Sequence, residues 1–177
     1  MAYEGQPASA FIDTELVQQH LREASVQVAE LARIRFVSTY NGMLRSMSSI
    51  QFDSPLEMIF WIWWHALTEH APHADRLDLN SQRDVVVEGK TYRVDFSVDP
   101  VESIPGWQPI AVELDGHAFH ERTRDQVALR DSRDRALQIA GWRVFHFSFT
   151  EFTTNPMMSI ADVFVVARDQ LLALTRR

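Results

Sequence analysis

The sequence predicts an α/β fold, a mixed β-sheet covered by helices, and three observations predict it. Two alternating segments, "LDLNSQRDVVVEG" and "KTYRVDFSVDP", flank Gly89 and read as an antiparallel hairpin. From Ile110 to Phe147 the pattern runs strand, helix, strand, a unit that normally closes as a right-handed parallel crossover. Helical patterns lie on either side of these strands, so the expected order is α, α, β, β, β, α, β, α.

From Phe11 to about Val37, Leu16, Val17, Leu21, Val26, Val28 and Leu31 recur at roughly helical spacing, and Asn41-Gly42 predicts the turn that ends this segment. Residues 1–50 are read as a helical extension and 51–177 as the main domain. In "FDSPLEMIFWIWWHALTEHAP", Asp53 or Ser54 can cap a helix, Pro55 suits its first turn, and Pro72 ends it. Met58 to Trp64 are apolar nearly all round, which predicts a buried helix with Trp61, Trp63 and Trp64 in the core or a subunit interface. "WQPIAVELDG" supplies the third strand, and "ERTRDQVALRDSRDRALQIAG" a helix stopped by Gly141. "WRVFHFSF" is the fourth strand, with His146 expected as a satisfied strand histidine. The last helix begins near Asn155-Pro156 and carries an apolar stripe.

The chain has 177 residues, 46% of them hydrophobic, enough for one domain with a substantial core. No apolar run approaches the ~20 residues needed to span a bilayer, and the N-terminus has no secretory pattern. There is no cysteine, hence neither disulfides nor thiolate metal sites, in keeping with a reducing cytoplasm. The net charge of −7 argues against a protein that coats nucleic acid, though not against a local basic face around an acidic site. Every basic residue except Lys90 and the histidines is arginine.

Chemistry concentrates in "IAVELDGHAFHER". Side chains alternate along a strand, so Glu113 and Asp115 share a face. If the preceding strand is a neighbour, Asp95 faces Glu113, and Glu57 in the first turn of the buried helix can reach the same place. Converging carboxylates repel one another unless a cation lies between them. Oxygen donors without cysteine suit Mg²⁺ or Mn²⁺ better than Zn²⁺. Such a site is suited to phosphodiester hydrolysis, with a nearby histidine relaying protons.

The series "SPLE", "Q…YRVDF", "VELDGHAFH" and "RDSRDRALQIAGWRVFHF" resembles the PD-(D/E)XK nuclease superfamily, in particular small bacterial domains related to the very-short-patch-repair endonucleases. The resemblance spans about Ser54 to Phe152. It implies a restriction endonuclease-like fold with a mixed four- to five-stranded sheet flanked by helices. It also implies a Mg²⁺- or Mn²⁺-dependent endodeoxyribonuclease of repair, restriction or defence type, acting on DNA or else RNA. By the same resemblance Asp95 is the central metal ligand, Glu113 the motif acid, and Glu57 the helix glutamate that supports the metal. His120 resembles a histidine beside the scissile phosphate, His117 can assist it, and Arg130 and Arg133 are phosphate contacts. Gln82 matches a glutamine one strand upstream. The motif lysine is replaced by Asp115, and Lys90 lies in the hairpin turn. The alternative is a nuclease-fold module that binds nucleic acid or a protein partner without cutting, favoured by the net acidity and the absent lysine. A hydrolase of some other phosphoester is also compatible with the sequence. The helical first third and the last helix are the expected places for a homodimer interface.

Overall fold

The computed structural model describes residues 30–42, 52–115 and 124–176, without the side chains of 124–127. Helix α1 runs through 30–42 and includes Asn41 and Gly42, so the expected turn does not fall at that dipeptide. A glycine inside a helix costs only about 1 kcal/mol relative to alanine, and packing can override that. Here the Phe36 ring packs, tilted, with its centroid 4.7 Å from that of Trp63 on the next helix.

Helix α2, Pro55–Thr68, starts as its sequence dictates. Ser54 is the N-cap and accepts the Glu57 amide at 3.2 Å, with Pro55 at the first position. Leu56, Phe60 and Trp64, spaced by four, enter the main core, while Ile62 and Ala66 are buried as well. A helix apolar on most sides is thus enclosed on most sides. A short 3-10 turn, Ala74–Arg76, leads into the sheet.

The sheet has four strands in the order β1-β2-β3-β4: Leu77–Val87, Lys90–Pro100, Ile110–Asp115 and Arg143–Ser148. β1 and β2 form the expected hairpin, Val87 opposite Lys90, with Gly89 at φ 77 in the turn. β2 and β3 are antiparallel with Phe96 opposite Val112, and β3 and β4 are parallel with Glu113 beside His146. The crossover between the last two is α3, Arg124–Ile139, followed by Gly141 at φ 88. Both the sheet-and-helix class and the parallel crossover therefore agree with the sequence.

One element is additional. Ser148 ends β4 and caps α4, Phe149–Thr154, through a capping box with Glu151, so Phe149 begins a helix rather than ending a strand. The last helix, α5, Pro156–Thr175, is capped by Asn155 and buries Ile160, Val163, Phe164, Ala167 and Leu171 along one stripe.

Two cores result. The larger lies between the sheet, α2, α4 and α5, and joins Phe60, Phe96, Val98, Ile110, Val112, Phe147, Phe152 and Ile160. The smaller lies under α3 and joins Val85, Val87, Val94, Ala111, Leu137 and Trp142. The hairpin feeds both: beyond Gln82 in β1 and Asp95 in β2 its apolar row leaves the first core for the second. Phe60 is fully buried, with ring centroids 5.1 Å from Phe96 and 5.5 Å from Phe152. Phe60→Ala is expected to cost about 3–5 kcal/mol, read as a shift of the urea midpoint. No helix among the described residues is long and apolar enough to cross a membrane.

Candidate active site

Continuing the β2–β3 register from Phe96↔Val112 sets Asp95 opposite Glu113, and the β3–β4 register sets Glu113 beside His146. Gln82 stands opposite Asp95 on the hairpin, at the one interior position skipped by the β1–β2 pairing. A single row thus crosses the sheet: Gln82, Asp95, Glu113, His146. The sequence suggested the Asp95–Glu113 part of it.

The row interrupts regular pairing. Gln82 has φ 52, a left-handed conformation that a non-glycine residue rarely adopts. Asp95 Oδ2 accepts the Leu114 amide at 2.7 Å, a side-chain bond beyond the last paired residues of β2 and β3. Backbone strain of this kind persists only where surrounding contacts hold it. The Gln82 amide donates to Glu57 Oε2, whose carboxylate also accepts the Asp53 amide at 3.0 Å and the Ser54 hydroxyl at 2.8 Å. Glu57, buried at 4% exposure, is therefore held by the α2 cap on one side and the hairpin on the other. Gln82→Leu removes the long-range half of that arrangement. The expected loss is about 1.5–3 kcal/mol of stability by urea denaturation, and an unchanged midpoint would show that the bond contributes nothing.

Helix α3 lies over the Glu113–His146 end of the row. Arg133 Nη2 lies 2.6 Å from Glu113 Oε2, and one turn earlier Arg130 Nη1 lies 3.2 Å from Asp115 Oδ2. The helix runs against β3, so a step of three residues forward on α3 matches a step of two back on the strand. That geometry explains why both arginines and both acids meet. Arg133 Nε stands 3.7 Å from Asp134 Oδ1, and Asp134 Oδ2 is 2.7 Å from His146 Nε2. His146 Nδ1 is 4.0 Å from Asp115 Oδ2. Cations and anions, with His146 counted among the bases, thus alternate from Glu113 through Arg133, Asp134, His146 and Asp115 to Arg130.

Burial dominates the titration of the two central acids. It raises the Asp95 carboxyl to about 6; the Leu114 amide pulls the other way, Glu57 and Asp115 add to the rise, and Arg133 opposes it. It raises Glu113 further, to about 8, with Asp95 next in importance and Arg133 pulling down through charge and hydrogen bonding. Among the described residues Glu113 Oε1 is buried without a hydrogen-bond partner, although Oε2 has Arg133.

The structure therefore brings together Asp95, Glu113, Asp115, Arg130 and Arg133, with Glu57 near enough to act on the charge of Asp95. His117 and His120 lie outside the described residues. Lys90 is exposed at the hairpin turn, five residues from Asp95, about 16 Å along the strand. It does not stand in for the motif lysine. Among the described residues no three acidic or imidazole side chains converge closely enough to hold a metal ion.

His146 is not the satisfied strand histidine expected from sequence. Its Nε2 is at ion-pair distance from Asp134 but not aligned for a hydrogen bond, and Nδ1 has no hydrogen-bond partner among the described residues. Strand alternation put His146 on the face away from Phe145 and Phe147. The missing step was that a parallel crossover aligns that face with Glu113. Asp134 was hidden within an arginine–aspartate run that also suits a solvated helix. Neither a family model, nor a curated protein, nor a solved structure matches the chain.

Proposed function

We propose that this protein is a metal-dependent nuclease of the PD-(D/E)XK type that hydrolyses DNA phosphodiester bonds, with Mg²⁺ or Mn²⁺ held by Asp95 and Glu113. The observation that carries the reading is the pair itself: the buried Glu113 and the half-buried Asp95, set side by side where the β2–β3 register continues beyond Phe96↔Val112, with Glu113 Oε1 left without a partner among the described residues. Buried like charges are stabilised by a cation, and Mg²⁺ takes one or two carboxylates and completes its shell with water. The donor set fits that requirement.

When bound, the ion lowers the pKa of a water and neutralises charge on the scissile phosphate. The chain supplies the rest. Asp95 keeps its orientation through the Leu114 amide. Glu57, fixed by Ser54 and Gln82, adds negative potential on the α2 side. Arg133, paired with Glu113, would be available to a phosphate oxygen if Glu113 held an ion. Arg130, paired with Asp115, contacts a second phosphate oxygen; guanidinium forks suit such contacts. Asp115 holds Arg130 and fills the motif-lysine position.

The experiment is incubation of supercoiled plasmid with the protein and Mg²⁺ or Mn²⁺. Conversion to nicked circles that EDTA stops supports the reading, and an uncut plasmid in both metals contradicts it. One observation favours a second reading, a non-cutting module that binds nucleic acid or a protein: Arg133 already neutralises Glu113. That reading expects no metal binding and no nicking.

A further inference from the structure

We propose that His146 is the proton acceptor for the attacking water, aimed by Asp134 as its positioning residue. The proposal rests on the nuclease reading and supplies the function that the replaced lysine leaves open. Three observations lead to it. In the parallel β3–β4 ladder His146 is the register partner of Glu113, so both side chains stand on the α3 face. Asp134 Oδ2 lies 2.7 Å from Nε2, and the other ring nitrogen, Nδ1, lies on the Asp115 side, 4.0 Å from its Oδ2. Among the described residues both ring nitrogens are buried and have no hydrogen-bond partner, like Glu113 Oε1 on the neighbouring strand.

Unsatisfied buried polar atoms are rare and call for an explanation. Here, among the described residues, three of them, Glu113 Oε1 and both ring nitrogens of His146, belong to residues side by side in one row. A base oriented by a carboxylate on its far nitrogen is the general arrangement for proton abstraction, and catalytic hydrogen bonds are often long before substrate binds. With Asp134 Oδ2 2.7 Å from Nε2, a proton on that nitrogen leaves the lone pair on Nδ1. A water above the Glu113 end of the row attacks phosphorus, and its oxygen forms the new P–O bond. Its proton passes to Nδ1, the bond from phosphorus to the leaving oxygen breaks, and that oxygen takes a proton from solvent. His146 then returns its proton to solvent, so no other reactant is needed.

The test compares wild type, His146→Ala, His146→Gln and Asp134→Asn on supercoiled plasmid with Mn²⁺, alongside calorimetric Mn²⁺ titration of each protein. Both His146 variants are expected to lose about 10²-fold or more in nicking rate with Mn²⁺ affinity within about twofold of wild type. Added imidazole restores part of the His146→Ala rate, which a purely structural role would not allow. Asp134→Asn, on the helix and tolerant of folding, loses roughly tenfold in rate at unchanged metal affinity. Nicking by the His146 variants within threefold of wild type overturns the proposal and leaves the nuclease reading standing. A parallel fall in Mn²⁺ affinity also overturns it, in favour of a structural role. If the His146 variants do not fold, an unchanged Asp134→Asn rate overturns it. A wild type that cuts nothing overturns both.

Discussion

Under the proposed nuclease reading, Asp95→Asn and Glu113→Gln are each expected to lower plasmid nicking by about 10³-fold or more, equivalent to roughly 4 kcal/mol of transition-state stabilisation, while the fold survives. Each substitution removes an ionisable carboxyl from the site and keeps the side chain's shape. Asparagine retains an oxygen for the Leu114 amide, so the bond that orients position 95 persists. Glutamine at 113 can still accept from Arg133 through its carbonyl oxygen. Loss of stability is therefore not the expected cause of lost activity. Plasmid nicking time courses at matched protein concentration check the rate, and circular dichroism checks the fold. Variants that cut as fast as wild type would remove Asp95 and Glu113 from the chemistry.

The metal-free protein loses stability as pH rises from about 4 to about 8, and Glu113→Gln flattens the upper part of that slope. Glu113 has an ordinary value of 4.5 and is raised by burial to about 8 in the fold. Asp95 is raised from 3.8 to about 6. Between each pair of values the folded chain holds more protons than the unfolded chain, so stability declines with pH there. Below the lower value the contribution is fully present, and above the upper value it is gone. Each group contributes a slope of at most about 1.4 kcal/mol per pH unit. In Glu113→Gln only the Asp95 window remains, and the decline ends near pH 6. Urea midpoints measured in EDTA across that range check the sign. A wild-type stability that rises between about pH 6 and pH 8 would contradict the burial of Glu113 as an acid.

Much of the fold was legible because local rules agreed with global ones. Gly89 set the hairpin, Ser54 and Pro55 set the start of α2, and Gly141 stopped α3. The α4 helix was legible in principle from Ser148 and Glu151, but the aromatic run through Phe149 resembles a strand. Asn41-Gly42 misled because turn preference is weak against packing, here Phe36 on Trp63.

The site was legible to the extent that it depends on alternation. Glu113 and Asp115 follow from their spacing, and Asp95 follows once β2 and β3 are neighbours. What sequence could not disclose depends on distant contacts. The link from Gln82 to Glu57 joins residues 25 apart through a left-handed backbone that glutamine rarely adopts. Likewise, whether Arg133 meets an acid or solvent is decided by the angle at which α3 crosses β3.

Calorimetric titration of Mn²⁺ into the wild type, Asp95→Asn and Glu113→Gln tests the central claim most directly. The account predicts saturable binding to the wild type that both substitutions abolish, because the two carboxylates share one ion. Binding that survives either substitution, or a wild type that takes up no Mn²⁺, would contradict it.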